Sequence, residues 1–384
     1  MKCAPFLQRV QIRNFKAIIN SKSIALSPLT VFIGNNGSGK SSFIESLETY
    51  RSIVAEGLDS AISRWYGFEH VWNKQSKHKE KTDGLHEGPL KFQWSGKIAG
   101  KNAKTEMVID TKPGFNGQFI LKESADWANL FSLNRENDGR FTLKTSFGNN
   151  NGKVDLGQSA LSGDIRNFVL SWQFLNFTPD LMGIPTQKKM TVEGRLLLNR
   201  DGSNIAQYLA YIREKNVVVF NGIVETMRFV LDYSQDFQPV ETSEIQRAMY
   251  IRMKEKEYDI PGWMLSTGTI RILALLAVLR NPEPSPVIFI EEIENGLDPR
   301  TMHLVYDEIR AATKSGKTQI VTTTHSPYFL DLLPLQTIIL TERKNGESPN
   351  FWRPAEEKEI LDWTKDFSPG ELYSHGRFNK GALK

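Results

Sequence analysis

Short apolar runs, separated by polar turns, give the first picture of the fold. Residues 29–33 (LTVFI) are largely apolar and predict a buried strand, which a glycine-rich turn follows. Beyond the turn, Phe43, Ile44 and Leu47 recur at helical spacing. Residues 287–290 (VIFI) predict a second buried strand, and this strand runs straight into two glutamates. The sequence therefore has two points at which a buried strand ends in residues able to do chemistry.

The middle of the chain shows two other patterns. Alternating segments between residues 86 and 145, bounded by Gly, Asn or Lys turns, predict antiparallel β structure: LKFQWSGKI, TEMVIDT, GQFILKE and GRFTLKTSF. Residues 179–260 are helical in pattern and predict an insertion, without the long heptad run that builds a coiled-coil arm. The basic run at residues 74–81 lacks interleaved aromatics, which favours a solvated loop over a nucleic-acid site.

The turn after the first strand reads GNNGSGKSS at residues 34–42 and matches the pattern G-x-x-x-x-G-K-S. Its glycines let backbone N–H groups converge on phosphate oxygens, Lys40 reaches the terminal phosphates, and the Ser41 hydroxyl can ligand Mg²⁺. A glycine-rich turn that only resembles this motif is the alternative, and the strand–loop–helix setting weighs against it. The sequence thus predicts that a nucleoside triphosphate is held by Asn35, Asn36, Gly37, Ser38, Gly39, Lys40, Ser41 and Ser42.

Adjacent carboxylates at the end of a buried strand are costly unless a cation or a polarised water accompanies them. Glu291 occupies the position from which a carboxylate supports Mg²⁺ through water. Glu292, one residue on, is placed to orient and deprotonate the water that attacks the nucleotide. A solvated strand end is the alternative for the pair alone, and the phosphate-binding turn elsewhere in the chain reverses that preference.

Composition narrows the class of protein. The 384 residues are 40% hydrophobic and 24% charged, which suits one large domain with insertions or two domains. The single cysteine, Cys3, excludes an internal disulfide and a multi-cysteine zinc site. Because no apolar signal region or membrane-length run is visible, we expect a cytoplasmic protein without a membrane partner. The formal charge of +4 permits a local DNA site but does not argue for one.

Five segments together resemble the ABC-ATPase superfamily: VQIRNFKAI, FIGNNGSGKSS, LSTGTIRILALLAVL, EEIENGLDP and TTTHSPYFLD. More narrowly, the chain resembles the bacterial AAA15 and AAA_21 type of ATPase, relatives of the structural-maintenance-of-chromosomes (SMC), RecF-like and overcoming-lysogenisation-defect proteins. The resemblance implies an α/β fold, namely an ABC-type P-loop ATPase with a mixed central sheet, an antiparallel β subdomain and a helical insertion. We expect a nucleotide-binding lobe at 1–178, the helical insertion at 179–262 and a third part with the later motifs at 263–384.

The same resemblance implies roles for residues beyond the two strand ends. Ser266 and Gly268 begin a helix that matches the signature motif, whose N-terminus presents N–H groups to the γ-phosphate of ATP on a second subunit. His325, at the tip of a later strand, matches the switch histidine that contacts the γ-phosphate.

The resemblance implies three further residues at the site, and two of them have a second interpretation. Arg13 and Phe15 lie in a segment that flanks the nucleotide in this family, although Phe15 also suits an ordinary core position. Gln173 is a candidate Mg²⁺ ligand, and a strand glutamine without nucleotide contact is nearly as good an interpretation.

The resemblance implies a Mg²⁺-dependent ATPase that forms a homodimer on ATP, with a larger oligomer left open. Such a dimer acts as a switch on a separate effector, a nuclease or toxin, in anti-phage defence. An ATPase that acts directly on DNA in repair or recombination is the alternative. A transporter subunit is disfavoured because more than two hundred residues separate Ser41 from Ser266. A fused ATPase–nuclease is disfavoured because no Asp-x-Asp pair follows His325.

Overall fold

Both strands and helices occur in the computed structural model, which describes residues 6–76, 86–111, 117–128, 130–146, 148–188, 195–242, 247–344 and 346–378. The strands are β1 (Phe6–Phe15), β2 (Ile18–Asn20), β3 (Ile24–Ala25), β4 (Leu29–Ile33), β5 (Leu90–Ile98), β6 (Lys101–Thr111), β7 (Gln118–Trp127), β8 (Phe131–Arg135), β9 (Arg140–Thr145), β10 (Gly148–Lys153), β11 (Gln173–Leu175), β12 (Thr186–Gln187), β13 (Asp236–Glu241), β14 (Ala248–Glu255), β15 (Tyr258–Pro261), β16 (Val287–Ile290), β17 (Gln319–Thr324), β18 (Ile338–Glu342) and β19 (Asn350–Trp352). The α-helices are α1 (Lys40–Glu56), α2 (Leu58–Ser63), α3 (Phe68–Val71), α4 (Gly163–Leu170), α5 (Pro179–Met182), α6 (Ile205–Lys215), α7 (Val217–Val230), α8 (Thr267–Leu279), α9 (Pro299–Lys314), α10 (Pro327–Asp331), α11 (Lys358–Trp363) and α12 (Pro369–Ser374).

Contacts within the chain define two units. Unit 1 comprises Met1–Trp172 and Pro334–Lys384, and unit 2 comprises Gln173–Leu333. This division differs from the three parts predicted from the sequence, because the residues from Pro334 onwards group with the N-terminal ones rather than with the later motifs.

An antiparallel sheet is the largest element of unit 1. Its strands run in the order β10-β9-β8-β7-β6-β5-β1-β2, and β3 also pairs with β1. Buried and half-exposed residues alternate along β5, so one face of the sheet is covered. On that face Phe92 packs against Tyr50 of α1, and Trp94 packs against Trp172. The predicted antiparallel subdomain is confirmed, and its buried face supports the helix that follows the glycine loop.

The glycine loop leaves strand β4, whose five residues are all buried. Strand β4 pairs in parallel with β18, and β18 pairs antiparallel with β19, which gives the predicted mixed pairing. The ring centroids of Phe32 and Phe43 are 4.7 Å apart, and Phe351 of β19 packs against both rings. These rings pack β4, α1 and β19 together. The glycine loop connects β4 to α1, so this packing fixes both ends of the loop.

Unit 2 contains the strands that end in the later motifs. Strands β11, β16 and β17 pair in parallel, and Ile290 of β16 lies opposite Thr322 of β17. Every residue of β16 and β17 is buried, and for β16 the continuous apolar run predicts this. Because parallel strands end at the same edge, Glu291 and His325 follow neighbouring strand ends.

The segment predicted as a helical insertion needs correction. Helices α6 and α7 confirm its helical part, but β12, β14 and β13 form an antiparallel sheet to which β15 adds by pairing with β14. Strand β14 alternates buried and more exposed residues over only eight positions. Over so short a run the periods of a helix and a strand are hard to separate, which is why the sequence pattern misled.

Two smaller expectations concern lengths and loops. The longest described helix, α1, has 17 residues, so the described residues contain no long coiled coil, as expected. None of the described helices combines the length and apolar character that crossing a membrane requires. Of the basic run predicted as a solvated loop, residues 77–81 lie outside the described residues.

Candidate functional site

The glycine loop of unit 1 is shaped by close contacts with the β18–β19 hairpin. A Cβ atom at Gly34 would lie 2.1 Å from the backbone oxygen of Thr341, and one at Gly39 would lie 2.5 Å from Cγ of Pro349. Gly39 also has φ +106°, in the left-handed region that favours glycine. These two positions therefore accept only glycine, and the loop is held at both of its ends.

Lys40 is folded back into this loop. Its side chain is only 5% exposed, and Nζ donates to the backbone oxygens of Gly34 at 2.7 Å and Asn35 at 3.1 Å. The ammonium group is thus placed inside the ring of the loop, at the start of α1. A positive charge held here by carbonyl oxygens is close to where phosphate oxygens would compete for it.

The N-terminus of α1 suits an anion. Gly39 provides no side-chain cap, and the first turn has no acidic residue. The Oγ atom of Ser38 is buried and has no hydrogen-bond partner. Uncapped N–H groups carry the positive end of the helix dipole, and an unpartnered buried hydroxyl is costly unless a ligand engages it. The residues present therefore fit a phosphate group.

The remaining loop residues line the open side. Asn35, Asn36 and Ser41 are exposed, and Ser42 is half-buried. Oη of Tyr373, in α12, lies 3.5 Å from Oδ1 of Asn35, a contact that the sequence did not signal. The exposed Ser41 hydroxyl is free of steric cover and is available to a metal ion at the phosphates.

The segment predicted to flank the nucleotide divides between core and surface. Phe15 is fully buried and packs against Phe92, with ring centroids 6.0 Å apart, so its side chain belongs to the core. The predicted nucleotide contact of Phe15 is corrected accordingly. Arg13 is exposed on β1. Lys16 forms an ion pair with Glu45 at 2.8 Å, and its Nζ lies 3.3 Å from the centroid of the Trp65 ring.

A cavity of about 300 Å³ opens beside Lys16. It is lined by Lys16, Ala17, His70, Trp72, Asn73, Lys74, Gln75 and Arg343. Three of these side chains are cationic, one is aromatic and none is acidic, so the cavity favours an anionic or aromatic ligand.

In unit 2, Glu291 follows β16 and is only 6% exposed. Nη2 of Arg200 lies 2.7 Å from its Oε1. A buried carboxylate needs such a partner, and the guanidinium keeps one oxygen oriented. Arg200 was missed in the sequence, where nothing distinguishes it from a surface arginine in a turn.

Glu292 has a left-handed backbone, with φ +47°. A glutamate gains nothing from this conformation, which costs about 1–2 kcal/mol, so neighbouring groups must impose it. Its N–H donates to Oγ1 of Thr323 at 2.9 Å, and its backbone oxygen accepts from Nη2 of Arg271 at 3.0 Å. Nδ2 of Asn295 donates to its carboxylate. The side chain is half-buried and is directed by these contacts.

His325 follows β17 and is half-buried. Its backbone N–H donates to Oε1 of Glu294 at 2.5 Å, while Oε2 of Glu294 is buried without a hydrogen-bond partner. This hydrogen bond links the end of β17 to the turn that follows β16. Glu292 and His325, the two residues predicted to act at the γ-phosphate, therefore follow adjacent strand ends.

The predicted signature residues begin helix α8. Oγ of Ser266 accepts from the N–H of Thr269 at 3.1 Å, and Ser266 is exposed. The side chain of Ser266 therefore caps the helix that the sequence predicts to begin here. A Cβ atom at Gly268 would lie 2.6 Å from the backbone oxygen of Gly296. Gly268 is required because α8 passes this close to the turn after β16.

Gln173 does not lie beside Glu291, the other predicted metal ligand of unit 2. It is 3% exposed, its Nε2 donates to the oxygen of Leu198 at 3.3 Å, and its Oε1 accepts from Ser285 at 3.2 Å. It begins β11 opposite Ile288, whereas Glu291 follows the carboxyl end of the neighbouring strand. The interpretation of Gln173 as a metal ligand is therefore corrected to that of a buried strand glutamine.

Comparisons with known proteins agree with this arrangement. The family model described as "AAA ATPase domain" matches residues 6–52, and the one described as "AAA domain, putative AbiEii toxin, Type IV TA system" matches residues 163–331. The two matches include the glycine loop, the signature helix, the glutamate pair and His325. The chain resembles ABC-type ATPases, and the matches support ATP hydrolysis.

Relatives of this ATPase are distant. An "ATP/GTP phosphatase" of Helicobacter pylori (strain ATCC 700392 / 26695) is 22% identical over 356 residues, which cover 85% of this chain and 87% of the relative. The structure of an SMC head bound to the C-winged helix domain of ScpA has a TM-score of 0.50 and 14% identity, and covers 91% of this chain and 98% of that chain. This likeness concerns the fold.

Proposed function

We propose that this ATPase is Mg²⁺-dependent, dimerises when it binds ATP and uses the dimer as a switch on a separate effector protein. The proposal rests on the motifs of both units and on the local geometry of each. The observation that carries it is the uncapped N-terminus of α1, where the buried Lys40 ammonium and the unpartnered Ser38 hydroxyl suit phosphate oxygens.

In the proposed reaction Lys40 and the N–H groups of the glycine loop hold the β- and γ-phosphates. Mg²⁺, when bound, would be held by Ser41 and Glu291 and would neutralise phosphate charge. Glu292 accepts a proton from the water that attacks the γ-phosphate, and His325 contacts that phosphate. The Arg200 contact leaves Glu291 oriented for a supporting role rather than for proton transfer.

The nucleoside end of ATP is proposed to occupy the cavity beside Lys16. Trp72 offers an aromatic surface there, and Lys16 and Arg343 offer positive charge. This assignment keeps the family expectation that the Arg13 to Lys16 segment flanks the nucleotide. It transfers the contact from the buried Phe15 to the side chains that line the cavity.

The dimer is proposed because the start of α8 faces solvent. Ser266 and Thr267 are exposed, and the residues just before them, Trp263 and Met264, are 53% and 69% exposed. An exposed helix N-terminus beside exposed Trp and Met side chains suits contact with a second copy and its γ-phosphate. ADP lacks that phosphate, so only ATP favours the dimer through this contact.

The effector and the setting are proposed from a family match. One matching family model names a toxin–antitoxin system, which is consistent with a partner encoded for defence against phage. A pull-down from the native host with Glu292→Gln protein and ATP tests this part. Recovery of a nuclease or toxin supports it, and recovery of DNA alone would favour the repair-type alternative.

Lys40→Ala is the direct test of the nucleotide site. Loss of a charged hydrogen-bond donor to phosphate is expected to weaken ATP binding on the order of 100-fold, measured by isothermal titration calorimetry. Lys101→Ala, at the exposed start of β6, is the matched control and should bind ATP as the wild type does. Wild-type affinity in the Lys40 variant would show that phosphate is bound elsewhere.

A further inference from the structure

Arg271 lies in α8, five residues after Ser266, and is only 4% exposed. Its Nη1 donates to the oxygen of Phe177 at 3.2 Å, and its Nη2 donates to the oxygen of Glu292 at 3.0 Å. The guanidinium carbon also lies 5.7 Å from the centroid of the Phe177 ring. One side chain thus joins the signature helix, the segment after β11 and the turn after β16, all within unit 2.

The guanidinium is not fully satisfied in this position. Its Nε atom is buried without a hydrogen-bond partner, and so is Oε2 of the nearby Glu294. Burial lowers the pKa of Arg271, and the charges of Glu292 and Glu294 oppose that effect. A buried arginine with an unused donor stabilises the fold less well than an apolar residue of similar size, because the apolar residue avoids the desolvation cost. Stability alone therefore does not explain Arg271.

Arg271 donates a hydrogen bond to a residue, Glu292, whose backbone is strained. Glu292 holds φ +47°, and the groups on its two sides are both engaged: its N–H by Thr323 and its carbonyl by Arg271. Fixing both ends sets the direction in which the side chain leaves the backbone. Without the Arg271 donor, the carbonyl is released and the left-handed conformation loses one of the two contacts that impose it.

A second contact joins the same two elements. The first turn of α8 approaches the turn after β16 so closely that a Cβ at Gly268 would meet the oxygen of Gly296 at 2.6 Å. Close packing of this kind transmits a displacement rather than absorbing it. The helix whose exposed start is Ser266 therefore touches the glutamate turn at both Gly268 and Arg271.

We propose that Arg271 is a positioning residue that holds the Glu292 peptide in its active conformation and links it to the start of the signature helix. The link lets the contact of Ser266 with the ATP of one subunit adjust the glutamate that acts on the other ATP. This inference rests on the proposed function, in which Glu292 is the general base and Ser266 faces a second copy.

The first test compares Arg271→Met, Arg271→Lys and a control on the same helix. Arg280, at the end of α8, forms an ion pair with Glu308 at 2.5 Å and donates to the oxygen of Gly222 at 2.7 Å, away from the glutamate turn. We expect Arg271→Met to lower kcat by about tenfold or more with an unchanged ATP Kd, because orientation of a base affects the chemical step. Arg271→Lys should recover part of the rate, and Arg280→Met should keep the wild-type kcat.

The second test uses mixed dimers purified through two different tags, each with one functional glycine loop. In the first, an Arg271→Met subunit pairs with a Lys40→Ala subunit, so the working Glu292 lacks its arginine. In the second, a wild-type subunit pairs with a Lys40→Ala/Arg271→Met subunit, so the working Glu292 keeps it. The proposal predicts a slow first dimer and a second dimer with the rate of a Lys40→Ala/wild-type dimer.

Equal rates in the two mixed dimers, or a slow second dimer, would overturn the positioning role. A wild-type kcat in Arg271→Met homodimers would overturn it as well. These failures are distinct from failure of the proposed function, which Glu292→Gln reports separately: if that variant is inactive while Arg271→Met is fully active, only the present inference is wrong.

Discussion

At the scale of single residues, two neighbouring glutamates receive different environments from the fold. Glu291 is buried and paired with Arg200, whereas Glu292 is half-buried and held by contacts to both sides of its backbone. A carboxylate in an ion pair is a poor proton acceptor, because the guanidinium favours its charged form. The proposed base role is therefore assigned to Glu292.

Glu292→Gln is expected to bind ATP normally and to lower kcat by about 100-fold or more, because the amide cannot accept the proton of water. Glu291→Gln is expected to raise the Mg²⁺ concentration needed for half-maximal activity. Steady-state kinetics over a range of Mg²⁺ concentrations measure both effects. Full turnover by the Glu292 variant would transfer the base role, with Glu294 as the next residue to substitute.

The role of a residue could be predicted from the sequence where that role depends only on the spacing of nearby residues along the chain. The glycines, Lys40 and the capping Ser266 need only local spacing, and the structure places them at the loop and helix start that the spacing predicts. Phe15 and Gln173 were misjudged because their role depends on which neighbours cover them. That information comes from β5 and from Ser285, far away in the sequence.

At the scale of elements, helix α9 begins with a side-chain cap at the end of the turn after β16. Asp298 accepts from the N–H groups of Arg300 and Thr301 at 2.9 and 3.1 Å. Its hydrogen bonds, that from the Thr301 hydroxyl first, hold the pKa of Asp298 below the usual value of 3.8. A carboxyl with a lowered pKa stabilises the fold above its ordinary pKa and loses that contribution as the pH falls through the folded value.

Asp298→Ala should therefore destabilise α9 by about 1 kcal/mol at pH 7, and the difference should shrink as the pH falls through and below 3.8. Hydrogen exchange of the α9 amides, followed by mass spectrometry, measures this locally. Asp298→Asn, which keeps a capping oxygen, is the control and should lose much less. Equal protection of all three proteins at pH 7 would show that the cap contributes nothing.

Elements were predictable where one period extends over a long run or where a strand is apolar throughout. Strand β16 and helix α8 belong to this group, and strand β4 departs from it only at Thr30. The sheet of β12 to β15 was not, because its strands are short and pair through contacts that local spacing does not encode. The residues from Pro334 onwards group with unit 1. This grouping also depends on contacts between residues far apart in the sequence, which local spacing does not encode.

At the scale of the whole molecule, the exposed start of α8 is the surface that contacts the second copy in the proposed dimer. Substitution of Gly268 does not test that surface specifically, because any side chain there also collides with the backbone of Gly296. Ser266 offers a sharper one, since Asp and Asn are both good N-caps and differ in charge. Ser266→Asp should repel the γ-phosphate and abolish ATP-driven dimerisation, while Ser266→Asn should retain it more fully.

Mixing two inactive proteins tests whether the sites are shared. Lys40→Ala and Ser266→Asp subunits each lack one part of the proposed composite site. A mixed dimer holds one intact site, from the loop of the Ser266→Asp subunit and the signature helix of the other. Some ATPase activity should return on mixing. Persistent inactivity of mixed dimers that demonstrably form would mean either that the sites are not shared or that both must act together.

The most direct measurement is the mass of Glu292→Gln protein in solution, determined by analytical ultracentrifugation with ATP and with ADP. The account predicts a dimer carrying two ATP molecules in the first case and a monomer in the second, because only ATP provides the γ-phosphate for the signature helix. A variant that binds ATP tightly and stays monomeric at all protein concentrations would contradict the switch.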